Sequence, residues 1–139
     1  MSRFLLIFLL LFGSLFGIEK SNWTHTHRYT LKKDEIIDIK FHEIKPEEMS
    51  SSTLFFSWTT IVEDRVTILL NHKGYPHQYI LYNKRSLDRV KFNILPDRGN
   101  RIEDKTYLVL VLSNIDGNKQ EVEFDIFIKD NKNRILVEF

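Results

Sequence analysis

The chain has 139 residues, 20 Lys plus Arg against 19 Asp plus Glu, 42% hydrophobic residues and no cysteine. Without cysteine there are no disulfides, no thiol catalysis, no thiolate-held metal and no lipid-modified cysteine. A net charge of +1 provides no global attraction to nucleic acid, and the length suits one hydrophobic core rather than two.

Residues 1–17 have the three regions of a secretory leader: Arg3, an unbroken apolar run from Phe4 to Phe12, and the small residues Gly13, Ser14 and Gly17 before a cut. A bilayer-spanning helix needs about 20 apolar residues, and this run is shorter. The expectation is a cleaved signal peptide, 1–17, followed by a single domain, 18–139. That domain is exported, periplasmic or extracellular, with no stable membrane insertion after cleavage. Cleavage removes Arg3, so basic and acidic residues then balance at 19 each. Export also removes nucleic acid as a partner.

From Ile18 onward apolar residues alternate with period two, and no stretch of helical length has them at three-and-four spacing. A short strand at Tyr29–Leu31 precedes a longer one at Glu35–Glu43, where Ile37, Ile39 and Phe41 share one face and Asp38, Lys40 and His42 the other. Lys45–Ser52, with Pro46, Glu47, Glu48 and its serines, reads as a connection long enough to cross between sheets. Leu54–Val62 puts Leu54, Phe56, Trp58 and Val62 on one side. After a turn at Glu63-Asp64, Arg65–Leu70 returns with Val66, Ile68 and Leu70 inward, forming a hairpin. Trp58 is assigned to the core.

His72–Pro76 reads as the next reversal, with Gly74 and Pro76 setting the backbone, and a strand Gln78–Tyr82 follows. Val90, Phe92 and Ile94 mark another strand, ended by Pro96 and Gly99. Thr106–Leu112 is apolar on both faces, which predicts a central strand covered on both sides. Asp116-Gly117 has the residues of a type I′ hairpin turn. Val122, Phe124, Ile126 and Ile128 then alternate, and Ile135–Phe139 closes the chain. Eight or nine short strands predict an all-β fold, an antiparallel two-sheet β-sandwich of the immunoglobulin or jelly-roll kind. The alternation of Ile135, Val137 and Phe139 also suits a small outer-membrane β-barrel, but barrel walls need strands of about 9–11 residues and a polar lumen face.

Three groups of side chains are candidate sites. His25 and His27, two apart on an extended segment, project to one face and can offer imidazoles to a metal ion, although such sites take three or four ligands. His72, Tyr75 and His77 surround Gly74 and Pro76, where aromatic and imidazole groups can form a platform for a sugar ring or a peptide. Lys84, Arg85, Arg89, Arg98 and Arg101, joined by Lys91 and opposed only by Asp88 and Asp97, form a basic stretch suited to an anionic partner.

Catalysis is not indicated. Ser57, Thr59 and Thr60 have no glycine elbow around them, and the carboxylates fall in turns or alternate outward. Asp116, Asn118 and Asp130–Asn133 lack the dense oxygen spacing of a calcium loop. No cofactor is expected. The reading is a non-enzymatic exported β-sandwich acting through protein–protein or envelope-associated binding. A carbohydrate-binding module with a glycan ligand, a periplasmic metal-binding protein using His25 and His27, and the small barrel are the alternatives. A mature protein beginning near Ile18 is expected in the soluble exported fraction; recovery of intact Arg3–Gly17 in carbonate-washed membranes would contradict the leader.

Overall fold

The computed structural model describes residues 22–45, 47, 49–97, 99, 101 and 104–139. The leader, 1–17, and Arg98 lie outside the described residues. The described chain forms nine strands: β1 (His25–Lys32), β2 (Ile37–Glu43), β3 (Ser50–Val62), β4 (Arg65–His72), β5 (Tyr75–Tyr82), β6 (Arg89–Asn93), β7 (Thr106–Asp116), β8 (Glu121–Asp130) and β9 (Ile135–Glu138). They make two antiparallel sheets, a front sheet in the order β1-β8-β7-β6 and a back sheet in the order β5-β4-β3-β2-β9. Each sheet is a meander whose end strand is exchanged: β1 joins the β6–β8 meander, and β9 joins the β2–β5 meander.

Period-two alternation gives each sheet one apolar face, and the sandwich buries those faces against each other. Ile39, Phe41, Leu54, Phe56, Trp58, Val66, Ile68 and Leu70 from the back sheet meet Leu108, Leu110, Leu112, Val122, Phe124, Ile126 and Ile128 from the front sheet. Phe56 and Phe124 cross the gap edge to face, with ring centroids 5.7 Å apart. The interior is therefore a packed apolar core, the reverse of the polar lumen of a spanning barrel.

Trp58 fastens the two sheets by hydrogen bonds as well as packing. Its ring is fully buried, and its indole N–H donates to the carbonyl of Leu31 on β1 at 2.9 Å. Its own carbonyl accepts the amide of Asp34, in the β1–β2 crossover, at 3.0 Å. A β-bulge lies at this point, because Trp58 pairs with Ile68 while Thr60 pairs with Thr67. One extra residue reverses the facing of everything beyond it. Ile61 thus packs on the core and Val62, expected inward, is 46% exposed.

Other expectations shift for equally local reasons. Ser50, Ser51 and Ser52 are not a connection: they extend β3 and pair with Glu43, His42 and Phe41 of β2. β2 and β3 are therefore neighbours in the back sheet, and the chain changes sheets at the short polar links after β1, β5 and β8. Asp116-Gly117 is not a two-residue turn. Asp116 pairs with Glu121, its carboxylate accepts the amides of Asn118 and Lys119 at 3.1 Å each, and the left-handed residue is Gln120. Tyr107 on the outer face of β7 is covered by side chains rather than by another layer: Trp23 meets it edge-on at 6.0 Å and the Lys91 ammonium sits 3.8 Å from its ring centre.

Asp130, considered among loop oxygens, is a buried structural carboxylate. It accepts the Thr106 hydroxyl and the Ile135 amide, both at 3.0 Å, and its amide donates to the Thr24 hydroxyl at 2.8 Å. It thus joins the starts of β7 and β9 to the segment entering β1.

Trp58→Ala is expected to cost about 3–5 kcal/mol in denaturant titrations, through a cavity no cross-link offsets. Trp58→Phe should cost about 1–3 kcal/mol, because it strands the Leu31 carbonyl. A loss under about 1 kcal/mol for the alanine variant would contradict the fastening role.

Candidate functional site

The β4–β5 hairpin turns on Lys73 and Gly74 alone. Their φ angles of 55° and 83° are those of a type I′ turn, whose twist matches that of the strands it joins. The left-handed angle is natural for Gly74 and carries a modest cost at Lys73. The expected loop is therefore mostly strand, and Pro76 and His77 lie within β5. Pro76 fits because β5 is an edge strand, on which a missing amide need not break the ladder.

Register sets which side chains share a face. His72 pairs with Tyr75, Leu70 with His77 and Ile68 with Tyr79, so His72, Tyr75, His77 and Tyr79 all belong to the face that looks toward the front sheet. The front sheet ends at β6, which has five residues against eight in β5. The turn end of β5 is accordingly uncovered, and Tyr75 is 70% exposed although it lies on the inward face. A groove of about 230 Å³ opens along this side. Leu54, Leu70 and His72 form its floor, Tyr75, His77 and Tyr79 one wall, and Phe92 of β6 the other.

His72 is half-buried. Its ring meets Phe41 edge to face at 6.1 Å and leans on Phe92 at 5.6 Å, and its Nε2 is buried with no hydrogen-bond partner among the described residues. Burial, reinforced by the adjacent Lys73 charge, holds its pKa below the ordinary 6.5, so the neutral ring is favoured. The His77 and Tyr79 rings lie 6.2 Å apart and 33° from parallel. Lys73 Nζ reaches across to the Ile94 carbonyl at 3.4 Å.

Sequence spacing thus identifies three members of one surface, on strands rather than on a loop. Of Tyr79 and Tyr82, which alternation puts on opposite faces, Tyr79 is the one that joins the surface, continuing the period-two series of Tyr75 and His77. Phe92 comes from the other sheet, and nothing local links it to the hairpin. Tyr82 faces the other way, with the Arg65 guanidinium 5.9 Å from its ring centre.

The basic stretch is divided. Lys84 and Arg85 lie in the β5–β6 link, with Lys84 3.5 Å from Asp64. Arg89 is held by Asp88 at 2.8 Å. Arg101 is exposed and lies past the opposite end of β6 in sequence, between β6 and β7. His25 and His27 do share a face of β1. His27 is stacked on Phe139 at 4.7 Å and leans on Tyr29 at 4.5 Å, and among the described residues no three His, Asp or Glu side chains group to hold an ion.

A larger depression, about 440 Å³, lies on the outer face of the back sheet around Ile36, Phe55 and Leu69. It is open and apolar, shares His77 with the groove, and has no tyrosine in its lining. No protein-family model matches the chain, and no curated protein or solved structure is significantly similar to it.

The lowered pKa of His72 fixes a direction of pH dependence. The unfolded chain takes up the proton first, so the neutral ring's contribution is complete above pH 6.5 and is lost as pH falls through and below that value. His72→Gln should lose less stability than wild type between about pH 7 and about pH 5. Ring titration by NMR at or above 6.5 would contradict this.

Proposed function

We propose that this is a non-enzymatic exported β-sandwich protein that binds a partner protein through the groove between β5 and β6. The observation that carries the reading is the wall of Tyr75, His77 and Tyr79, inward by register, of which Tyr79 packs partly on the core while Tyr75 and His77 are left uncovered, Tyr75 being 70% exposed. An aromatic ring left in water beside an apolar floor gains by being covered, and tyrosines recur as anchors of recognition surfaces because they combine area with a polar tip. Export rests on the leader-like residues Arg3–Gly17.

Carbohydrate binding is the second reading, favoured by the same exposed Tyr75 ring, whose face can stack on a sugar. Pull-down from the envelope fraction followed by purified binding addresses the first reading, and a glycan array the second. Tyr75→Ala should leave folding within about 0.5 kcal/mol of wild type while weakening binding by more than about 1 kcal/mol. A variant that unfolds makes Tyr75 a packing residue, and one that folds and binds normally removes the groove as the site.

A further inference from the structure

The backbone of β5 offers recognition chemistry that its side chains do not reveal. β5 is the outermost strand of its sheet and, among the described residues, pairs only with β4. The two-residue turn makes His72 and Tyr75 a bonded pair, so ladder alternation turns the backbone groups of Pro76, Gln78, Ile80 and Tyr82 away from β4. Tyr82 fixes this phase: its amide donates to the Leu87 carbonyl at 2.9 Å, and its carbonyl accepts the Lys84 amide at 2.7 Å. Those bonds close one end of the edge. Pro76 has no amide and closes the other as a donor.

Between these ends, the amides and carbonyls of Gln78 and Ile80 have no partner among the described residues. The window fits roughly five residues of extended chain. Cations frame it at both ends: Lys73 at the turn, and Lys84 and Arg85 in the β5–β6 link. Asp64, bound to Lys84, is the carboxylate paired with any of them among the described residues. Alternate side chains of an added strand would enter the groove against Tyr79 and Phe92.

We infer that the open edge of β5 takes up an extended segment of a partner polypeptide as an added strand, with apolar side chains in the groove and carboxylates at its flanks. This deepens the groove-binding reading and rests on it. Strand addition draws affinity from main-chain bonds and specificity from alternate side chains, and the cationic ends select against a basic segment.

A displayed library of random nonapeptides, selected on the folded protein, tests the inference. Enriched peptides should alternate apolar residues between flanking Asp or Glu, and in the complex the amides of Gln78 and Ile80 should exchange at least about tenfold more slowly. Gln78→Pro should weaken binding at least about tenfold by removing a free donor without touching the β4 ladder, whereas Gln78→Ala should not. Should the proline variant fail to fold, peptides N-methylated at alternate amides replace it and should lose binding to the same extent. Recovery of no binder, enrichment of basic peptides, or binders indifferent to Gln78→Pro and to N-methylation would overturn strand addition. Binders that fail only on Tyr75→Ala would leave the groove reading intact, and binders that fail only on Gln78→Pro would remove the groove and leave the edge.

Discussion

The bond from the Trp58 indole to the Leu31 carbonyl is the contact on which the arrangement of the sheets depends. A buried indole must satisfy its N–H, and a carbonyl facing the core must find a donor. Here each answers the other across the two sheets. At the bulge between Trp58 and Thr60 the Trp58 carbonyl accepts the Asp34 amide, so one residue of β3 holds both the end of β1 and the middle of the β1–β2 crossover. In a chain with no cysteine, this fastening and the surrounding aromatic packing take the place of a covalent staple.

The two long sides of the sandwich are unequal, and the candidate site arises from that inequality. On one side the end strands are exchanged between sheets. The stack of His27 on Phe139 and the contact of His42 Nε2 with Glu138 at 3.0 Å hold the short β9 in place there. On the other side β6 is shorter than β5, and Tyr75 and His77 extend past the facing sheet. A mismatch in strand length thus leaves residues of core register uncovered at the sheet edge.

The outer faces differ in the same manner. On the front sheet, Trp23 leans on Phe127 at 5.4 Å, and the Arg28 guanidinium clasps Asp125 at 2.6 Å. That guanidinium, with the Ser113 hydroxyl, holds the Asp125 carboxyl below its ordinary range. Arg28 is largely exposed, so the pair orients the strands more than it stabilises them. The back sheet instead leaves Phe55, Leu69 and Ile80 partly open to solvent.

An all-β fold of eight or nine strands, most of the apolar faces and the assignment of Trp58 to the core were determined by the sequence alone, because alternation in Ile37–Phe41, Val66–Leu70 and Val122–Ile128 is a local property of an extended chain. The same locality explains why His72, Tyr75 and His77 were legible as neighbours. Where one residue breaks the period, as at the Trp58 bulge, sequence assigned Val62 to the wrong face, since no residue type marks a bulge as glycine marks a tight turn. Serines carry no alternation, so Ser50–Ser52 were invisible as strand until β2 supplied their ladder. Tertiary structure alone decided the exchange of β1 and β9, the approach of Phe92 to the hairpin and the division of the basic stretch. Each depends on pairing between residues distant in sequence, and period-two alternation states which face is buried without stating which strand lies beside it.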